Sequence, residues 1–337
     1  MHPSTRTRRL TAGFTLVEVF IAAAAMLLVL VYTLNTFTVN RNTYVVIESV
    51  SEAHQNSIAI SSLIERDLRN AGYMVPNGAA ACGVDATNGP DALFVSDGDA
   101  ILDADDPALT ASFAAGNLAA TPSTALVDAG VDEVLTVDNV TIDGVDTYDT
   151  DATPGPDSDF RVGGGAILIN LQDPTEGVYC GRVIDVAAVA NQVTINLISS
   201  TAGVPLAVNN GWGLVPAHIY EITADTLTRD GSVLARNVED LQLAWFYDLN
   251  ENGQVDANED FGSGGAEPDL TPHSLPDPAL LREVRLNLVV RTAAGDPNDL
   301  QNAGIGQARE NRVNPPPADD RRRRVHTATI RLRNVNV

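Results

Sequence analysis

Hydrophobic and polar positions follow three regimes along the chain. From Phe14 to Phe37 apolar residues run almost unbroken, far enough for a helix to cross a hydrocarbon core of about 30 Å. From Val46 the pattern becomes a stripe. Val46, Val50, Ala53, Ser57, Ile60, Ile64 and Leu68 recur at spacings of three and four, with Glu48, Glu52, Asn56 and Arg66 opposite, which is one face of an amphipathic helix. No Pro or Gly interrupts residues 14–71, so the spacing predicts one continuous helix. It should end at Asn70-Ala71-Gly72, with Gly72 as a left-handed cap and Pro76 beyond it. A coiled coil is the competing reading of the second half, but a short, one-sided stripe suits packing on a sheet better.

After Gly72 the period changes to two. Strands are predicted at 92–96 (ALFVS), 133–137 (EVLTV), 166–171 (AILINL), 183–189 (VIDVAAV), 193–198 (VTINLI), 218–222 (HIYEI) and 232–238 (SVLARNV). Ala190-Asn191-Gln192 is a plausible hairpin turn between two of them. The clearest alternation lies in the last third: Leu241, Leu243, Trp245 and Tyr247; then Val284, Leu286, Leu288 and Val290; then His326, Ala328, Ile330 and Leu332. These read as half-buried antiparallel strands. The fold class is therefore α+β, one long N-terminal helix, first membrane-spanning and then amphipathic, packed on an antiparallel β-sheet head.

Composition narrows the chemistry. The 337 residues hold 21 Lys+Arg, all of them Arg, so neither Schiff-base chemistry nor a phosphate-loop lysine is available. The formal charge of −23 is uneven: residues 73–281 carry 33 acids against four Arg, whereas residues 282–337 carry 11 Arg against six acids. Such an acidic body repels nucleic acid and anionic lipid. The five His residues form no paired ligand motif and no G-x-S-x-G elbow occurs, which leaves an enzyme reading without support. Cys82 and Cys180 form no C-x-x-C. For a head outside the cytoplasm they are candidates for a disulfide, with two unrelated buried thiols as the alternative.

Glu18 breaks the apolar run. A charge inside a spanning helix costs about 2.5–3.5 kcal/mol unless it is paired or used. The leader MHPSTRTRRLTAG holds three Arg and no acid, and GFTLVEVFIA follows. A secretory signal would have a shorter apolar core of about 7–15 residues. The pattern resembles the type III signal of type IV prepilins and type II secretion pseudopilins. That resemblance implies cleavage by prepilin peptidase between Gly13 and Phe14, N-methylation of Phe14, and a role for Glu18 in meeting the amino terminus of an adjacent subunit during filament assembly.

Three further strings, ERDLRNAGY at 65–73, LARNVEDLQLAWFYDLNENGQVD at 234–256 and RRRRVHTATIRLRN at 321–334, resemble the PilW family of minor pilins, relatives of the J-type minor pseudopilins. The implied organisation is a cytoplasmic leader (1–13), a transmembrane or filament-core half-helix (14–38), an amphipathic half (39–72) and a β-rich head (73–337) with an acidic insertion at about 77–160. The implied fold is type IV pilin-like. The implied partners are prepilin peptidase, major and minor pilins and a candidate tip adhesin, with an inner-membrane anchor and periplasmic head before assembly and a cell-surface pilus afterwards. A J-type pseudopilin and a membrane-anchored, calcium-dependent adhesion module are the alternatives.

The strongest local motif in the head is DLNENGQVDANE. It meets every fixed position of the calcium pattern D-x-[DN]-x-[DN]-G-x₅-E through Asp248, Asn250, Asn252, Gly253 and Glu259. Gln254 would offer a main-chain carbonyl, Asp256 the ninth position and Glu259 two oxygens. Ca²⁺ is therefore the expected cofactor, structural and of modest affinity, with a metal-free Asx-rich hairpin as the competing reading. Asp97–Pro107 lacks ligand spacing and reads as a solvated loop. Gly163–Gly165 precedes a strand rather than a helix, which argues against a phosphate loop. Arg321–Arg324 is expected to form salt bridges to the acidic body or to a partner pilin.

Overall fold

The computed structural model describes residues 15–73, 75, 76, 78–84, 89–100, 116, 117, 125–127, 130–137, 159–173, 178–187, 190–198, 206–208, 211–256, 259–261, 277–293, 295 and 321–335. The predicted cleavage junction, Gly13 and Phe14, lies outside them, as does most of Asp97–Pro107. The long helix α1 (Leu16–Asn70) is continuous, while the chain divides into two units, Met1–Ser49 and Val50–Val337.

In the first unit every residue from Thr15 to Val45 is exposed. Phe20 is 68% and Leu28 73% exposed, so this stretch has no partner for its apolar surface within its own unit. By length and composition the helix can cross a membrane.

In the second unit the helical stripe is used as predicted. Ala53, Ile60, Ile64 and Leu68 are buried in one core with Leu241, Leu243, Trp245, Val284, Leu286, Leu288 and Ile330. Each fully buried Ile or Leu contributes about 2 kcal/mol relative to exposure, which is why the stripe, not local propensity, holds this part of the helix. The helix stops where Gly72 takes φ +84°. Its N–H leaves the helical ladder and donates to Ser96 O at 2.9 Å, while Asn70 O accepts from Tyr73 N at 3.0 Å and from Asn334 Nδ2 at 3.1 Å. A Cβ on Gly72 would sit 2.9 Å from Asn334 O, so glycine is required there for space as well as for φ.

The strands are β1 (Ala81–Val84), β2 (Ala92–Val95), β3 (Gly116–Asn117), β4 (Ala125–Val127), β5 (Asp132–Thr136), β6 (Gly165–Asn170), β7 (Val178–Ala187) and β8 (Gln192–Leu197). They continue with β9 (Leu206–Val208), β10 (Trp212–Thr223), β11 (Thr226–Arg229), β12 (Ser232–Arg236), β13 (Val238–Tyr247), β14 (Asp260–Phe261), β15 (Leu281–Arg291) and β16 (Arg323–Arg331). Among the described residues a large antiparallel sheet runs β1-β2-β10-β6-β7-β8-β5, with β3 and the β11–β12 hairpin attached to β10. A second sheet has the order β14-β13-β15-β16, and β4 pairs with β9.

Two expectations change. Strand β10 begins at Trp212, well before the predicted residue 218, and runs through Pro216; paired to β6 from Trp212 to Ala217, it tolerates the missing N–H. Strand β13 is buried on both faces, not one. Leu241, Leu243 and Trp245 face the helix core, while Gln242 and Ala244 on the other face are 0% exposed and Gln242 Nε2 donates to Gly89 O at 2.8 Å. Residues 81–95, inside the acidic region, supply β1 and β2 of the large sheet.

Candidate functional site

At the start of α1, Thr15 and Glu18 form a reciprocal cap. Thr15 N and Oγ1 both donate to Glu18 Oε2 at 2.9 Å, and Glu18 N donates to Thr15 Oγ1 at 3.3 Å. This is a capping box, written in the sequence as Thr15-Leu-Val-Glu18. It satisfies helix-end donors that an apolar environment would otherwise leave unpaired. Oε1 of Glu18 accepts no hydrogen bond among the described residues, so one carboxylate oxygen is open to a donor from outside this segment. Farther along, the hydroxyls of Thr33, Thr36, Thr38 and Thr43 donate to the carbonyls of Val29, Tyr32, Leu34 and Val39 at 2.6–3.0 Å. Such back-bonding removes their desolvation cost in an apolar medium.

Asp248–Glu259 folds as a tight loop between β13 and β14. Asp248, 0% exposed, accepts Asn252 N on Oδ1 (2.9 Å) and Gly253 N on Oδ2 (2.8 Å). Glu259, also buried, accepts Leu249 N on Oε1 (2.8 Å) and Asp256 N on Oε2 (2.7 Å). Asn252 N donates to Asn250 Oδ1 and Gln254 N to Asn252 Oδ1, at 3.0 and 2.7 Å, and Asp256 Oδ2 accepts both Asn amides. Gly253, at φ +80°, makes the sharp turn. The six predicted ligand residues thus share one loop, with Asp248 and Glu259 pinned from behind by main-chain N–H groups. Glu259 Oε1 accepts a second one, from Asn250 N at 3.3 Å, and Asp248 Oδ2 also accepts Arg282 Nε, so Asp248 Oδ1 and Glu259 Oε2 are the oxygens that keep a second lone pair. Two features oppose a cation. Arg282 Nε lies 3.3 Å from Asp248 Oδ2, and among the described residues no three Asp, Glu, His or Cys side chains gather as a metal cluster.

The polar anchor beneath the helix carries no signature in the pattern of residues. Asp67, 1% exposed, interrupts the apolar stripe beside Leu68. Its carboxylate accepts Tyr220 OH, Arg229 Nη2 at 2.8 Å and Arg66 Nη2 at 3.1 Å, tying the helix to β10 and β11. Burial first, and then the Asp67 carboxylate, push the Tyr220 hydroxyl far above its ordinary value. Burial works against the Arg229 charge, yet Tyr220, Asp67 and Asp230 outweigh it and move that group up. A second buried pair, His218 Nδ1 to Asp230 Oδ2 at 2.7 Å, joins β10 to the β11–β12 turn. Within the Arg321–Arg324 run, Arg323 is spent inside the head, bonded through Nε and Nη2 to the two oxygens of Glu239 at 2.6 and 2.8 Å.

Cys82 on β1 and Cys180 on β7 form a disulfide with Cα atoms 6.1 Å apart. Three strands separate β1 from β7 in sheet order, so the large sheet must curl to bring them together. The enclosed core contains Phe94, Ile167, Ile169, Val215 and Ile219.

No protein-family model matches the chain, and no curated protein does. Among solved structures, a type IV-like pilin of Thermus thermophilus is similar at 11% sequence identity and a TM-score of 0.29, over 84% of this chain and 97% of that one. The α+β arrangement described above, one long apolar N-terminal helix and an antiparallel β head, is the one the sequence predicts.

Proposed function

We propose that this chain is a non-enzymatic minor pilin of the PilW kind, cut between Gly13 and Phe14 by a prepilin peptidase and built into a type IV pilus or its tip. The observation that carries the reading is Glu18. It is the sole charge in the exposed apolar stretch from Leu16 to Asn40, it closes the GFTLVE string, and among the described residues one of its carboxylate oxygens accepts no hydrogen bond. Cleavage creates an α-amino group on Phe14, one helical turn away, and an ammonium of this kind on a neighbouring subunit is the natural partner for Oε1. The internally satisfied threonines suit a helix that moves from bilayer to filament core without exposing polar groups.

Mass spectrometry of the membrane fraction tests the processing step: a mature chain beginning at N-methyl-Phe14 is expected, and an intact Met1 or a cut elsewhere counts against it. Glu18→Gln separates the charge from the cap, because the amide oxygen still accepts from Thr15. Membrane insertion should be unchanged while incorporation into filaments is lost; normal incorporation would remove the register role.

We further propose that Asp248, Asn250, Asn252, Gln254, Asp256 and Glu259 hold a structural Ca²⁺. A loop already folded around its carboxylates supports this reading, and Arg282 beside Asp248 fits weak affinity, with a dissociation constant of about 10⁻⁴–10⁻³ M as in extracellular modules. When bound, the ion neutralises the carboxylates and rigidifies the β13–β14 connection.

A further inference from the structure

Among the described residues strand β16 ends the four-stranded sheet and pairs with β15 alone. Leu332 N donates to Arg282 O at 2.9 Å, so the alternation of an antiparallel ladder turns the N–H and C=O groups of Thr329 and Arg331 away from β15. Among the described residues nothing hydrogen-bonds to those main-chain groups. Beside this edge lies a groove of about 710 Å³, lined by strand residues 329–332 and walled by Arg69, Arg282 and Arg333. No Asp or Glu lines it. Glu65 and Asp248 engage Arg69 and Arg282. Arg331 reaches only the Gly253 carbonyl, at 3.2 Å, and Arg333 has no partner among the described residues. Two guanidinium groups without an ion-pair partner among the described residues, Arg331 standing across the ladder from Glu283, therefore flank a strand edge that is open among those residues, in a chain of net charge −23.

We propose that this groove docks an acidic, extended segment of a partner protein, which adds to β16 as a further strand and places its carboxylates on Arg331 and Arg333. Open main-chain groups supply affinity for any extended chain, and the arginines select among chains. They repel a basic edge, including β16 of a second copy, and offer forked donors that match carboxylates. Arg331 closes strand β16 and Arg333 stands in the bend just beyond it, so the two guanidinium groups border the end of the edge on which an extended peptide would pair. The acidic body argues against nucleic acid and anionic lipid, neither of which makes use of a strand edge. A smaller hollow of about 380 Å³ shares Arg69 and Arg333 and adds the exposed Tyr73 ring, but Asp97 also lines it, so the basic track ends there. The proposal concerns the head alone and stands whether or not the helix enters a filament.

The test uses the full chain in detergent micelles and a fluorescein-labelled peptide of alternating Asp and Val. Saturable binding that weakens with added salt is expected. The same peptide with alternate amides N-methylated keeps its charge but cannot pair with an edge, and should lose about tenfold or more in affinity. Arg331→Glu combined with Arg333→Glu should lose about a hundredfold. Both side chains are exposed, but Arg331→Glu faces Glu283 across the ladder and should lower the melting midpoint slightly. Arg331→Gln combined with Arg333→Gln avoids that like-charge pair, should keep the parent's melting curve and should still lose affinity. The proposal is overturned if the acidic peptide fails to bind, if the N-methylated peptide binds equally well, or if the double variant binds like the parent. Displacement by duplex DNA or phosphatidylglycerol vesicles at lower concentration than by unlabelled peptide would assign the groove to those ligands and overturn it as well.

Discussion

Asp67 shows what a single buried carboxylate does to a helix that is otherwise placed by apolar contacts. Removing its charge leaves Arg229 without its directly bonded counter-ion in a largely buried setting, with Asp230 as the remaining carboxylate acting on it, so Asp67→Asn should cost about 3 kcal/mol, read as a lower urea midpoint by tryptophan fluorescence. A midpoint within error of the parent would show that water, not Asp67, carries the Arg229 charge. Tyr220→Phe loses one hydrogen bond, about 1 kcal/mol, and changes the alkaline limb. Burial and Asp67 raise the Tyr220 hydroxyl, and burial followed by the Asp277 carboxylate raises Tyr247. A phenol whose folded value is raised holds its proton more tightly in the folded chain. Its stabilisation is complete below the unfolded value, about pH 10, and is lost as the pH climbs above it. The urea midpoint should therefore be flat up to about pH 10 and fall beyond it, with a shallower fall in Tyr220→Phe. Asp67 was hidden in the sequence because an Asp beside an apolar stripe reads as surface. Thr15 is legible through the [ST]-x-x-E spacing, although the same residues also belong to the prepilin-like string around Glu18.

The elements were legible where the period was strong. The helix and its stripe, β6, the β7–β8 hairpin and the alternation of β15 and β16 follow from spacing alone. The N-terminal half of β10 was not legible because Gly211, Gly213 and Pro216 break a strand pattern. The second buried face of β13 was missed because Asp240 and Gln242 look like solvent positions, whereas both are fully buried, with a hydrogen bond from Gln242 Nε2 to Asp240 Oδ1 at 3.0 Å. How the two sheets meet was not legible at all, since it depends on single close approaches. Gly83 of β1 lies so close over the Trp245 indole of β13 that a Cβ there would overlap the ring. Gly83→Ala should displace that ring at a cost of about 1–3 kcal/mol, with a red shift in tryptophan emission; an unshifted spectrum would mean that the sheets slide to accommodate the methyl. The Cys82–Cys180 bridge spans a sequence separation of 98 residues and fixes the curl of the large sheet. Reduction should cost about 4–5 kcal/mol on the chain-entropy model, seen as a lower urea midpoint with dithiothreitol that Cys82→Ser combined with Cys180→Ser reproduces without reductant.

At the scale of the whole molecule the dominant fact is charge, 44 Asp and Glu against 21 Arg. Self-repulsion of this size destabilises a compact head and is relieved by any electrolyte, so sodium chloride should raise the thermal midpoint without a specific site. That response sets the background for the calcium loop, because a divalent ion screens as well as binds. At equal ionic strength, calcium should raise the midpoint beyond sodium and beyond magnesium, which demands near-ideal octahedral geometry and gives up its waters reluctantly. Asp248 is a poor probe, since it also pairs with Arg282 at 3.3 Å and its loss would disturb β15. Asp256 is the better one: it is exposed, and its side chain accepts only the Asn250 and Asn252 amides. Asp256→Asn should keep the parent's response to sodium and lose the additional response to calcium. If calcium and magnesium stabilise equally, or if the variant keeps the calcium increment, then the loop is closed by its own hydrogen bonds and the acidic body is stabilised by screening alone.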